Sequence, residues 1–204
     1  RIVSVYMSAD LSRWARDPDV LIRWIWEPRR GLMATLVPMG PDHWGPASEE
    51  WVFHLNYENA DTRALDDATV VADMKAVLGV PDLDATIHVV SRWTLEGILA
   101  DRFQVGRVFM VGDAAHRHPP TGGLGLTSAV HDAHNLCWKL AAVLGGHAGA
   151  PLLETYEAER RPADGRNVQR SLENAMNHLG IAATIGIAPG APVEHNLAAL
   201  RRAL

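Results

Sequence analysis

At 204 residues the chain can bury a sizeable core, as one large domain or two small ones. Apolar residues make up 48% and charged residues 21%, and a net charge of −5 gives no support for a nucleic-acid or membrane-surface partner. The single cysteine, Cys137, excludes an internal disulfide framework, and with no signal peptide and no apolar run near the roughly 20 residues of a membrane span the expected location is cytoplasmic.

The chain opens on Arg1, and IVSVYMSAD reads as a strand already in progress, so the sequence is expected to be a fragment of a longer protein. Three further stretches are strand-like. Val20 to Glu27 places Ile22, Trp24 and Trp26 on one face, Leu32 to Met39 runs apolar, and Trp51 to Tyr57 alternates with Trp51, Phe53, Leu55 and Tyr57 together. Turns are supplied at Gly31, at Gly40-Pro41 and at Gly45-Pro46, so a largely antiparallel sheet is predicted. Asp66 or Asp67 would cap a helix with Val70, Met74, Val77 and Leu78 inside, and Gly79 would end it. Ala85 to Leu95 returns to strand, and Gly97 to Phe103 reads as a connection.

From Arg107 the sequence changes character: RVFMVGDAAHRHPPTGGLGLTSAVHDAHNLCWKL. A short buried strand, Val108 to Val111, is predicted to end on Gly112-Asp113. A proline turn and a glycine bend follow, then a helix from Leu126 to Leu144 with Val130, Ala133, Cys137, Leu140 and Leu144 as its apolar stripe. A second helix, Leu152 to about Leu179, is expected to be interrupted near Pro162, with a helical or ragged end after Pro189 and Pro192. The predicted fold class is therefore α+β: an antiparallel-rich sheet module, residues 1–96, followed by a nucleotide-site module with long helices, residues 97–204.

The chemistry lies in that central segment. Gly112 lets a ligand approach the backbone, and Asp113 offers an acceptor suited to a ribose or ribityl hydroxyl, although a lone Gly-Asp equally ties down its own turn. Pro119-Pro120 leaves carbonyls free to face a ligand. Thr121 adds a hydroxyl, and Gly122, Gly123 and Gly125 allow the chain to pass a flat ring. Leu126 and Thr127 would offer first-turn amides, which favour negative charge. His116 and His118, with His131 and His134 on the helix, raise a weaker metal reading that lacks an acidic partner at a recognisable spacing. Asn135 and Lys139 read as a pair, and Cys137 as an inert core residue.

GDAAHRHPPTGGLGLTSAVHDAHNLCWKL resembles the second FAD-binding motif of the class A flavoprotein aromatic hydroxylases, the p-hydroxybenzoate hydroxylase-like family, and most nearly its phenol and chlorophenol hydroxylase branch. The ADLSRW and WIWEP stretches suit that family's middle, substrate-binding domain, and LLETYEAERRP suits the helix after the motif. The resemblance implies an FAD-dependent monooxygenase that uses NAD(P)H and O₂ to hydroxylate a small phenolic substrate. It implies that Asp113 binds the ribityl chain, with Gly112 and Gly123 admitting the cofactor. The Pro120 carbonyl, with Thr121 beside it, would stand near the reacting ring atoms, and Gly125, Leu126 and Thr127 near the pyrimidine end of the flavin. The family usually carries Asn at the position of Thr127, and its N-terminal G-x-G-x-x-G strand has no counterpart here. A catalytically silent fragment, unable to hold FAD alone, is the alternative, and the oligomeric state is open. In the sheet module, Trp24, Trp26, Trp51, Phe53 and Tyr57 read as a plain apolar core before they read as a substrate wall.

Overall fold

A computed structural model describes residues 1–27, 32–57, 64–188 and 191–203. Gly31 and Pro189, read from sequence as breaks, lie outside the described residues. Two compact units divide the chain: Arg1–Thr94 with Gly186–Leu204, and Leu95–Ile185. The sequence reading gave the whole tail to the second module, whereas its last stretch clusters with the first unit.

The first unit is built on five antiparallel strands: β1 (Ile2–Ala9), β2 (Arg23–Glu27), β3 (Leu32–Gly40), β4 (Glu50–Asn56) and β5 (Ala85–Trp93), in the order β2-β3-β4-β1-β5. The alternation of β1 and β4 puts Val3, Val5 and Met7 beside Trp51, Phe53 and Leu55, all within 1% of complete burial. Each such side chain contributes about 2–3 kcal/mol on leaving water. Helix α1 (Asp67–Leu78) covers this face with Val70, Met74 and Val77. Its start is fixed by Asp66, which accepts the Thr69 amide at 2.8 Å, and its end by Gly79 in the left-handed region at φ 70°.

The predicted aromatic face divides. Trp51, Phe53 and Tyr57 are core, while Trp24 is 53% exposed on the opposite face, because its register row runs Trp24–Thr35–His54–Ser4, out of phase with Phe53 and Val5. In the tail, helix α4 (Val193–Ala203) is tied by Asn196, whose side chain brackets the backbone of Ala188.

The second unit begins with short strands. β6 (Ile98–Leu99) pairs with β9 (His116–Arg117), and β7 (Gln104–Val105) with β8 (Val108–Phe109). The expected buried strand over Val108 to Val111 is not what forms. Only Val108–Phe109 pairs, in a hairpin with β7 that turns at Gly106 with φ 58°, and Val108 is 67% exposed.

Helices α2 (Leu124–Leu144) and α3 (Pro151–Thr184) pack on each other, and α3 runs through Pro162. The predicted apolar stripe of α2 is largely outward: Val130 is 58% and Leu144 83% exposed, and Cys137 is exposed. Its inner face carries Ser128, Asp132, Leu136 and Lys139 instead. The reason lies in α3, which presents charged partners there. Asn135 and Lys139 do not pair with each other; both reach Glu159, at 2.8 and 3.0 Å. The apolar core of this unit is small, centred on Phe103, Ala115, Leu136 and Tyr156. Staples from α3 supplement it. Glu157 accepts the amides of Phe103 and Gln104, Arg161 donates to the Ala100 carbonyl, and the Tyr156 hydroxyl donates to the Met110 carbonyl.

Candidate functional site

After β8 the backbone bends into a 3-10 turn, Gly112–Ala114. Gly112 is buried with φ 57°, and a Cβ there would stand 3.2 Å from the Ala129 methyl, so α2 packs directly against the glycine. Asp113, next in the turn, is exposed. Gly112 therefore serves close packing in its own unit, and Asp113 presents its carboxylate outward.

Pro119 is buried and Pro120 exposed. The Pro120 carbonyl was expected to be free; it accepts the Gly123 amide at 3.0 Å, closing a turn and leaving its second lone pair. Thr121 donates its hydroxyl to the Ser171 carbonyl at 2.6 Å, so it anchors the loop to α3 rather than offering a free donor. Gly122 and Gly123 have φ of 109° and 64°, and nothing lies within 4 Å of where a Gly123 Cβ would be. A Cβ on Gly125 would meet only His118, at an ordinary 3.8 Å.

Helix α2 begins at Leu124, two residues before the expected start, and its N-cap Gly123 provides no side-chain cap. The amides of Leu124, Gly125 and Leu126 are thus the uncommitted first-turn donors, while the Thr127 amide, in the fourth position, belongs to the helix's own ladder. This moves the predicted donor pair from Leu126 and Thr127 to Gly125 and Leu126. Leu126 and Thr127 are both exposed.

Behind the turn lies a buried charge network that the sequence reading missed. Asp132, on α2, accepts the Gly112 amide at 3.1 Å and His116 Nε2 at 2.7 Å on one oxygen, and Arg160 Nε at 2.8 Å on the other. Arg160 also donates to Asp164 at 2.7 Å, and His116 Nε2 lies 3.8 Å from the second Asp164 oxygen. On its other side His116 Nδ1 meets His118 Nε2 at 2.9 Å. Asp132 and Asp164 are fully buried, and His116 is 1% exposed. Burial pushes Asp132 up, but the hydrogen bonds from His116 and Arg160 prevail and hold it at about 2. Burial and the neighbouring Asp132 raise Asp164 to about 6. Burial alone would depress His116, yet the hydrogen bond to Asp132 and the charge of Asp164 lift it above its ordinary value. His118 is lowered, by burial and then by the charge of His116. The available signal was the i, i+4 pair Arg160 and Asp164 on a helix, with Asp132 on the face opposite the assumed apolar stripe.

His116, Asp132 and Asp164 bring ligand atoms within 4.8 Å of one another, but Arg160 already bridges both carboxylates. The predicted metal reading shares only His116 with this group, and His131 and His134 are exposed on α2 outside it. A flavin fits the donor set better: an outward carboxylate at Asp113, uncapped amides at a helix N-terminus, and glycines with open space beside Gly123. Among the described residues no helix is long and apolar enough to cross a membrane.

Comparison with known proteins agrees with this chemistry. Phenol 2-monooxygenase of Pseudomonas sp. (strain EST1001) is 35% identical over 192 residues, covering 91% of this chain and 30% of that protein. The 4-methyl-5-nitrocatechol 5-monooxygenase of Burkholderia sp is 49% identical over 111 residues, covering 54% of this chain and 20% of its own length. Among solved structures, the flavin-dependent monooxygenase PieE in complex with FAD and substrate superposes with a TM-score of 0.82 at 36% identity, covering 98% of this chain and 34% of that one. The chain thus spans between a fifth and about a third of the length of these relatives. The family described as FAD binding domain matches residues 1–171, and this mixed α and β chain belongs to it.

Proposed function

We propose that this chain contributes the flavin-ring end and the substrate-side sheet of an FAD-dependent aromatic monooxygenase, which hydroxylates a small phenolic compound with NAD(P)H and O₂. The observation that carries the reading is that one unit joins the uncapped start of α2, an anion-favouring donor set, to the turn bearing the exposed Asp113 carboxylate, which packs on α2 at Ala129. Bound FAD would supply the redox chemistry and the activation of oxygen. The chain's own share is positioning. Asp113 accepts a ribityl hydroxyl, and Gly112 brings the turn against α2. Gly123 leaves room for the ring, and the amides of Gly125 and Leu126 donate to its pyrimidine edge, where the helix dipole stabilises negative charge. The remaining lone pair of the Pro120 carbonyl stands near the reacting ring atoms of the flavin, with Thr121 holding that loop to α3. The Thr127 amide belongs to the helix ladder, so Thr127 is left with only its exposed side chain to offer the ring. Arg1–Thr94 with Gly186–Leu204 form the substrate-side module and Leu95–Ile185 the C-terminal part of the FAD-binding one, and a cytoplasmic location is part of this proposal.

Purified full-length protein is expected to be yellow and to release FAD on denaturation; a colourless protein without FAD would overturn the reading. A second reading, that this chain by itself is catalytically silent, draws support from the outward apolar side chains Val105, Val108, Leu126 and Leu144, each at least 66% exposed. It predicts weak FAD binding by the chain alone and is refuted by tight binding with NAD(P)H consumption.

A further inference from the structure

On the sheet face opposite the core, three side chains form a locked group. Trp93 donates its indole N–H to Ser4 Oγ at 2.8 Å, Ser4 Oγ lies 2.7 Å from His54 Nδ1, and the Trp93 and His54 rings meet edge to face with centroids 6.2 Å apart. Ser4 is 8% exposed. An indole N–H only donates, so Ser4 accepts from Trp93, and among the described residues the acceptor for its own proton is His54 Nδ1. Were Nδ1 protonated instead, the buried Ser4 hydrogen would lose that partner. The network therefore selects the tautomer with the proton on Nε2. That nitrogen has no hydrogen-bond partner among the described residues and is not sealed from solvent.

We infer that His54 is a substrate-positioning residue whose Nε2–H donates to the ring oxygen of a hydroxy-aromatic compound and favours it as the phenolate. The inference rests on the aromatic-hydroxylase reading above. The surroundings match that ligand. In the cross-strand row, Thr35 stands next to His54 and the exposed Trp24 next to Thr35, two strand spacings, about 10 Å, from His54. A phenol bonded to His54 would lie over Thr35 towards the Trp24 indole. Burial holds His54 below its ordinary pKa, so the donor is neutral imidazole and not a titrating cation. The carboxylate on this face, Glu50, sits four residues along the same strand, about 13 Å away, and is engaged by the Tyr6 hydroxyl. His88, on β5, is bound to Ser8. Phenolate is the more electron-rich form of the ring, so a neutral donor here favours the form that reacts with an electrophilic oxygen.

Two measurements on the full-length protein test this. Long-range ¹H–¹⁵N correlation of the His54 ring, with no ligand added, should show the proton on Nε2; a proton on Nδ1 overturns the inference whatever the cofactor content. Absorbance titration with 4-nitrophenol as the probe should show its pKa lowered on binding by about one unit, the tenfold preference that one charge-assisted hydrogen bond supplies. His54→Gln should keep most of that shift and His54→Phe should abolish it. An unchanged shift in His54→Phe, or no 4-nitrophenol binding by the wild-type protein, overturns it. Neither readout needs flavin, so absence of FAD would sink the function above while leaving the tautomer assignment to stand or fall by itself.

Discussion

The carboxylate of Asp132 accepts the backbone amide of Gly112 at 3.1 Å, so the turn that carries Asp113 is held from a helix twenty residues further along the chain. The same oxygen is bonded to His116 Nε2, and His116 in turn meets His118. One buried acid thus ties the turn to α2 and to the histidine pair.

Replacing Asp132 with Ala leaves Arg160 with one carboxylate, and the Gly112 amide and His116 Nε2 without their shared acceptor. Breaking a buried pair on one side costs about 3–5 kcal/mol. Urea unfolding of Asp132→Ala should show a loss of that order, and Asp132→Asn, which keeps an acceptor oxygen, a smaller one. A loss below about 1 kcal/mol would mean that the network carries little of the unit's stability.

Gly112→Ala is expected to harm the fold through two separate terms. An L-residue at φ 57° costs about 1–2 kcal/mol, and its methyl would press on Ala129 at 3.2 Å. The partner change Ala129→Gly should recover part of the loss by relieving the contact, while leaving the backbone term. No recovery would show that the conformation alone sets the cost.

The network also fixes a pH dependence. Asp164 is raised from 3.8 to about 6, so its contribution is fully present below pH 4 and is lost as pH rises through about 6. His116 is raised too, and its contribution is likewise lost with rising pH, above its ordinary value. Asp132, lowered to about 2, runs the other way: its contribution is present above about pH 4 and is lost as pH falls through about 2. The two aspartate contributions together should therefore peak near pH 4 and decline as pH rises towards 6. Between pH 4 and pH 7 the wild type should lose roughly 2 kcal/mol that Asp164→Asn does not lose. Parallel curves for the two proteins would refute the assignment.

Much of this fold was legible because its patterns are local. The alternation in Trp51 to Tyr57, the Asp66 cap and Gly79 all announce themselves within a few residues, and the Gly-Asp, double-proline and glycine series marked the Gly112 turn and the nearby start of α2. What stayed hidden depended on partners distant in sequence. The stripe Val130, Cys137 and Leu144 looks like an inner face until Arg160, Asp164 and Glu159 of α3 are seen to draw Asp132 and Lys139 inward. The Thr121 hydroxyl looked available because its acceptor, the Ser171 carbonyl, is fifty residues away. His54 and Ser4 were likewise unremarkable until antiparallel pairing set them side by side.

Substitutions at Asp113 and Thr121 should separate the proposed cofactor binding from loop anchoring. The Asp113 carboxylate is exposed and takes part in none of the hydrogen bonds of the Gly112 turn, so Asp113→Ala should leave urea unfolding within about 0.5 kcal/mol of wild type. In the full-length protein it should weaken FAD binding by about 1 kcal/mol or more, the value of a lost hydrogen bond to a charged acceptor. Thr121→Val should do the reverse at first: lose about 1 kcal/mol of stability with its bond to Ser171, and affect FAD only as the loop loosens. Flavin fluorescence titration beside urea unfolding reads both quantities on the same samples. If Asp113→Ala retained FAD as tightly as wild type, its carboxylate would have no place in the cofactor site, and the uncapped amides of α2 would have to hold that end alone.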